Sequence, residues 1–391
     1  MCVVLVVLVV MVVCFAADAG AQGARPFSFV AIGDAGEPGG TVGAVARATD
    51  SYDARAMRDG FPVSTLLFLG DNFYPVGLNQ PDAVRRRLIK GALDPFRNIL
   101  QRLGRNNVHA IAGNHEYYCR VVGPVPLGTC FNGNIYQSAI RSWTFHSRYP
   151  TSIRRAVSDG SPDSVEIIMF DSGYILAMPM ATWQPEFDSL DRMLRASAQN
   201  SSVKWRIAIA HHSPYTVGEH GGYRQWSDRL QRVTYIGNCI DEGQDPFRYA
   251  YQIMSNADNC HPEYQEYSRR LLAAFDRSPA KIQLMLAGHD HSLQLLRRPV
   301  ANGVNRPSVF IVSGAGAKVG MVRSPLQPNI FTHPINTTIA TGESAAGFVV
   351  GVIRDDRIEL EFINATDGNV LDMGGVKRFA VKLDGELVSV D

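Results

Sequence analysis

The chain is 391 residues long and carries 38 Lys and Arg against 37 Asp and Glu, a formal net charge of +1, so nucleic acid held mainly by charge is not expected. With 46% hydrophobic and 19% charged residues it can bury a large core, and it is neither a disordered polyelectrolyte nor a collagen-like rod.

Residues 2–17 are apolar throughout, and Ala17-Asp18-Ala19 and Ala19-Gly20-Ala21 offer small-x-small cleavage patterns, so residues 1–21 read as a secretory signal peptide. The run falls short of the roughly 18 to 20 residues that span a bilayer, but no Lys or Arg precedes it, which leaves an uncleaved anchor as the alternative. The expected destination is outside the cytoplasm: secreted, periplasmic, or the secretory or lysosomal lumen. Membrane contact is expected only if the leader stays. Cys2 and Cys14 would leave with it, and Cys119, Cys130, Cys239 and Cys260 would remain. An even count in an exported chain suggests disulfides, and of the three connectivities the local pairs Cys119-Cys130 and Cys239-Cys260 are expected. Oligomeric state is silent.

Short apolar runs bounded by Gly or Asp follow: Phe27 to Ile32, Thr65 to Leu69, Val108 to Ala112, Glu166 to Phe170, Lys204 to Ala210, Lys281 to Ala287 and Ser308 to Val312. They read as buried strands. Helical spacing of apolar residues over about 82–103, 184–198 and 263–276 places helices between several of them, which predicts a layered α/β sandwich. Gly347 to Ile353, Arg357 to Phe362 and Lys377 to Leu383 read as a strand-only tail adding antiparallel strands. Two segments break the rhythm, about 119–162 and 217–262. They hold the four cysteines and read as active-site walls inserted into one domain of about 27–385.

The residues just after the strands carry the chemistry: Gly33-Asp34-Ala35-Gly36, Gly70-Asp71-Asn72-Phe73-Tyr74, Gly113-Asn114-His115-Glu116, His211-His212-Ser213-Pro214 and Gly288-His289-Asp290-His291. In open α/β sheets ligands bind at the carboxyl ends of the strands, so Asp34, Asp71, Asn114, His212, His289 and His291 would meet in one crevice. Carboxylate, amide and imidazole without thiolate suit two adjacent di- or trivalent ions, a pairing suited to phosphoester hydrolysis.

In these ordered motifs the sequence resembles the calcineurin-like metallophosphoesterases. Two departures, Gly36 where most members place a metal-binding His and Tyr74 three residues after Asp71, resemble the purple acid phosphatases of the compact, low-molecular-weight type. The resemblance implies a four-layer α/β/β/α sandwich and a ferric site of Asp34, Asp71, Tyr74 and His291. It also implies a divalent site (Fe, Zn or Mn) of Asp71, Asn114, His212 and His289, with Asp71 bridging. It further implies that His115 and His220 hold the substrate phosphate and protonate the leaving group. The activity implied is a secreted acid phosphatase that hydrolyses phosphate monoesters, small molecules or phosphoproteins, with a metal-activated hydroxide. A phosphodiesterase or nucleotide pyrophosphatase on the same centre, and a non-catalytic secreted binding protein, are the alternatives. The string His212-Ser213-Pro214 matches the family's His-x-Pro after a metal ligand, so the resemblance selects His212 over His211, which reads as a packed or supporting histidine. Asp290 is expected to face backbone groups. Glu116 is left open between orienting a ligand histidine and facing solvent.

Overall fold

The computed structural model describes residues 24–122, 125–216, 218, 220, 225–227, 232–234, 256–257, 261–297, 304–320, 345–354, 356–373 and 376–390. The expected leader, the Cys239-Cys260 pair and most of the 217–262 segment lie outside the described residues. Among the described residues no helix is long and apolar enough to cross a membrane.

In chain order the elements are β1 (Ser28–Ile32), α1 (Gly40–Arg58), β2 (Thr65–Phe68), α2 (Asp82–Leu93), α3 (Arg97–Leu103), β3 (Val108–Ile111), β4 (Tyr118–Val122), β5 (Val125–Thr129), α4 (Asn132–Ser138), β6 (Thr144–His146), β7 (Thr151–Ala156), β8 (Ser164–Phe170), α5 (Ser172–Ala177), α6 (Gln184–Gln199), β9 (Val203–Ala210), β10 (Gln225–Ser227), β11 (Arg232–Thr234), α7 (Pro262–Arg277), β12 (Leu284–Ala287), β13 (Leu293–Arg297), β14 (Val309–Ser313), β15 (Gly347–Ile353), β16 (Arg357–Asn364), β17 (Arg378–Lys382) and β18 (Leu387–Ser389). Two large sheets result, ordered β18-β17-β16-β15-β1-β2-β3-β6 and β13-β14-β12-β9-β8-β7.

The apolar runs are buried on both faces because each strand separates two cores. Along β1, Phe29 and Ala31 point between the sheets while Val30 and Ile32 point toward the helices, the period of two that a pleated strand imposes. Along β8, Val165, Ile167 and Met169 share the inter-sheet core, and Ile168 and Phe170 pack with Phe187, Leu190 and Leu271 of α6 and α7. On the other side α1, α2 and α3 lay Val42, Val45, Leu88 and Ile99 against Phe68 and Trp143. The layers are therefore α/β/β/α. Where β1 meets β15, Phe29 faces Gly351, and a Cβ on that glycine would lie 2.2 Å from Phe29 Cζ, so the glycine makes room for the ring.

Parallel β1, β2 and β3 in one sheet, and β8, β9, β12 and β14 in the other, bring their carboxyl ends to one edge. The sheets are joined there: Gly33 N donates to Ser313 O at 2.6 Å and Ser313 Oγ to Ala31 O at 2.8 Å. The tail strands add antiparallel beside β1, as their pattern predicts. The helix expected over 82–103 breaks at Asp94-Pro95 into α2, one tight turn and α3, since proline cannot continue the ladder. Helix α1 buries mostly small residues, Val42, Val45, Ala46 and Ala56 among them, and Asp53 on that face is offset by Arg102, at 2.5 and 2.7 Å.

The segment 119–162 is richer than a wall. It forms the β4-β5 hairpin, α4, and the edge strands β6 and β7 of the two sheets. Edge strands face solvent, so β7 reads Thr-Ser-Ile-Arg-Arg-Ala and lacks a continuous apolar run. The expected Cys119–Cys130 disulfide closes the hairpin, with the two Cα atoms 5.0 Å apart.

Candidate metal centre

Each strand end delivers its side chain through a sharp turn. Asp34, Asp71 and His289 follow β1, β2 and β12 with φ of 58°, 53° and 72°, a left-handed backbone that costs a residue with a Cβ about 1 kcal/mol each. Strain repeated at three converging strand ends is the pattern expected of a functional site. The preceding glycines are required by close approach: a Cβ on Gly113 would lie 2.2 Å from Asp71 Oδ1, and one on Gly288 2.6 Å from Asp34 Oδ2.

One half of the site gathers at the Tyr74 hydroxyl. It donates to Asp34 Oδ1 at 2.9 Å and Asp71 Oδ2 at 3.1 Å, and lies 3.2 Å from His291 Nε2. These are the four residues of the expected ferric set. Asp34 is held from behind, its Oδ2 accepting the backbone N–H of His289 at 2.8 Å.

The other half forms around Asp71 Oδ1. His211 Nε2 lies 3.4 Å from that oxygen and 3.1 Å from Asn114 Oδ1, while His211 Nδ1 donates to Leu69 O at 2.7 Å. His211, His212 and His289 each offer a ring nitrogen to one cluster, and Asp34, Asp71 and His211 form a second. His212 Nδ1 is engaged by Ser172 Oγ at 2.8 Å, and its Nε2 is buried without a hydrogen-bond partner. The structure thus places His212 in the first cluster and His211 in both. Asn114 is oriented by donating from Nδ2 to Tyr118 Oη at 2.7 Å.

The electrostatics favour a cation. Burial disfavours a charged imidazole, but facing Asp71 and Asp34 outweighs this and raises His211 to about 10. Burial likewise pushes Asp34 well above the carboxylate range, whereas on Asp71 it is overcome by His211 and His115, which hold its carboxyl well below that range. Burial and mutual repulsion keep His212 and His289 well below the usual imidazole value, as neutral rings with a lone pair to offer. Burial, with the charges of Asp34 and Asp71, keeps the Tyr74 phenol protonated unless a cation sits beside it. The strained carboxylates, the orphaned His212 Nε2 and the all-nitrogen-and-oxygen donor set fit two adjacent metal ions.

The remaining candidates rim this centre. His115 donates its backbone N–H to Asp71 Oδ1 at 3.0 Å, its Nδ1 donates to Pro75 O at 2.5 Å, and its Nε2 stands 3.8 Å from Asp71 Oδ2. The His220 ring stacks on His289 with centroids 4.3 Å apart. Asp290 faces backbone as expected, accepting the His220 N–H at 2.8 Å, and it also bonds Thr216 Oγ1. Glu116 does not face solvent. Fully buried, it accepts backbone N–H groups of Gly113, Asp71, Asn72 and Phe73 at 2.7, 2.9, 3.0 and 3.3 Å, tying two ligand turns together. Burial, then the charge of Asp71, raises its carboxyl to about 8. Its place directly after Asn114-His115 was the available sequence signal. Lys318, which reaches the Tyr74 ring, belongs to no motif and was missed.

The sequence profile of the calcineurin-like phosphoesterases matches residues 27–293, more than half of the chain. No curated protein matches by sequence. Among solved structures, GAP50, described as the anchor in the inner membrane complex of Plasmodium, superposes with a TM-score of 0.56 at 13% identity, over 92% of this chain and 89% of that one. PhoD superposes with a TM-score of 0.50 at 10% identity, over 95% of this chain and 72% of that one. At such identities the likeness is one of fold.

Proposed function

Because the chain belongs to the calcineurin-like phosphoesterase family, we propose that it is an exported acid phosphatase of the purple type, which hydrolyses phosphate monoesters at an iron-containing dinuclear centre. The observation that carries the reading is the Tyr74 hydroxyl within 3.2 Å of Asp34, Asp71 and His291, where a phenolate would complete a set of three hard oxygen ligands and one imidazole for a trivalent ion. Asp34, Asp71, Tyr74 and His291 would hold the ferric ion. Asp71, Asn114, His212 and His289 would hold Fe, Zn or Mn, with His211 packed beside them between Asp71 and Asn114. When bound, the two ions polarise the phosphoryl oxygen and acidify the attacking water below neutral pH.

The chain's own groups supply the rest. His115 donates through Nδ1 to Pro75 O, which leaves Nε2 to carry the transferable proton toward the leaving oxygen. His220, held by Asp290 through its backbone and stacked on His289, is placed to steady the phosphate. Glu116 and Tyr118 fix the turns and the amide that present Asp71 and Asn114.

Export rests on residues 1–21 of the sequence. The test is hydrolysis of an aryl phosphate monoester and the matching diester from pH 4 to 9. Faster monoester turnover with an acidic optimum is expected, lost in Asp71→Ala. An optimum above pH 8 or faster diester turnover would point to the phosphodiesterase reading. Absence of both activities in metal-loaded protein would favour a binding role, for which GAP50, described as an anchor, is a precedent on this fold.

A further inference from the structure

Beyond β14 the chain turns back over the centre through Ala315-Gly316-Ala317-Lys318, and this turn is pinned on three sides. Gly316 N donates to Gly33 O at 3.1 Å, Gly347 N to Ala315 O at 3.1 Å and Gly320 N to His291 O at 2.6 Å. The pinned backbone carries the Lys318 ammonium to 3.4 Å from the centre of the Tyr74 ring. His115 meets the same ring edge-on, with centroids 4.4 Å apart. Lys318 and His115 therefore flank the phenol whose hydroxyl faces Asp34, Asp71 and His291.

The ammonium also lies 3.4 Å from Glu37 Oε2, with the lysine side chain 32% and the glutamate 51% exposed. An ion pair this open competes with water and is weak, so a better anion displaces it readily. A compact ammonium on a four-carbon stem swings between partners without rearranging the backbone. With a net charge of +1, the chain has no broad positive field to gather phosphate, so a local cation beside the centre adds to the pull on it.

We propose that Lys318 is a substrate-recruiting residue, whose ammonium leaves Glu37 to bind a non-bridging oxygen of the incoming phosphoryl group. Glu37 restrains it, and the extra cation favours a dianionic monoester over a monoanionic diester. The proposal deepens the phosphatase reading and rests on it.

The test uses full-length protein loaded with its metals, in wild type, Lys318→Gln, Lys318→Arg and Glu37→Gln, with metal content measured for each. Inorganic phosphate binding is read by calorimetry, and aryl monoester turnover by steady-state kinetics. Lys318→Gln should weaken phosphate binding and raise KM by about tenfold, the worth of one charge-assisted hydrogen bond, with kcat changed by less than about twofold. Lys318→Arg should retain most of the affinity, and Glu37→Gln, which frees the lysine, should tighten phosphate binding. The proposal is overturned if Lys318→Gln binds phosphate as wild type does, if Gln and Arg lose equally, or if Glu37→Gln weakens binding. If wild type binds phosphate but hydrolyses no ester, the phosphatase reading fails while calorimetry still decides the role of Lys318. Glu37, half exposed, gives a variant that leaves the core untouched.

Discussion

A pair of histidines away from the candidate metal centre sets a limit on how far the fold survives acid. His109 Nδ1 lies 3.1 Å from His146 Nε2 across β3 and β6. Burial, then His146 and Arg155, lowers His109 to about 4, and burial lowers His146 to about 4. Both values lie below the ordinary imidazole value, so the neutral rings stabilise the fold fully above about pH 6.5, and that contribution is lost as pH falls from there toward 4. Between pH 7 and pH 5 each histidine costs about 2 kcal/mol of stability by linkage, so the pair costs roughly 4 kcal/mol, a large share of the 5 to 15 kcal/mol typical of a folded domain. The metal-site histidines also titrate, so the informative quantity is a difference. Urea unfolding at pH 7 and pH 5 should be compared between wild type and the double variant His109→Phe, His146→Phe. The double variant should lose less stability over this interval, by roughly 4 kcal/mol. At pH 7 it should come close to wild type, because His109 Nε2 is buried without a partner and phenylalanine removes that burden. Equal losses in the two proteins would refute the reasoning.

Glu116→Ala removes the acceptor of four backbone N–H groups; a loss of at least about 3 kcal/mol in unfolding free energy and lowered metal content are expected, and a change below about 1 kcal/mol would contradict the bracing role. Gly351→Ala drives a methyl into the Phe29 ring and should cost about 1 to 3 kcal/mol without touching metal content, checked by the denaturation midpoint. His212→Ala should lose the divalent ion more completely than His211→Ala, because His212 Nε2 is the buried ring nitrogen without a hydrogen-bond partner while His211 donates from Nδ1 to Leu69 O; equal loss in the two variants would bring His211 into the ligand set. Tyr74→Phe should abolish visible tyrosinate-to-iron absorption, and a band that survives the substitution would assign the colour elsewhere.

The candidate ligands at the strand ends were legible in sequence because the same local pattern, an apolar run, a glycine and a metal-binding residue type, encodes both a buried strand and the left-handed turn that ends it. Asp34, Asp71 and His289 all follow it, and Asn114 follows its glycine without the left-handed turn. His211 was harder: it sits beside His212 in a string with no glycine, and only the three-dimensional approach to Asp71 Oδ1 shows which ring nitrogen faces the bridge. Glu116 was open for a related reason, since a carboxylate that accepts backbone N–H groups from a turn more than forty residues earlier leaves no periodic trace. Edge strands β6 and β7 escaped because a strand wet on one side lacks the continuous apolar run that marked its neighbours. Lys318 depends on a turn fixed by long-range hydrogen bonds, which no local spacing reports.

The most direct test of the central claim is elemental analysis of the purified protein. Two ions per chain, one of them iron, with both lost in Asp71→Ala, is the result predicted by a dinuclear centre bridged by that carboxylate. One ion or none in wild type, or two ions without iron, would contradict it.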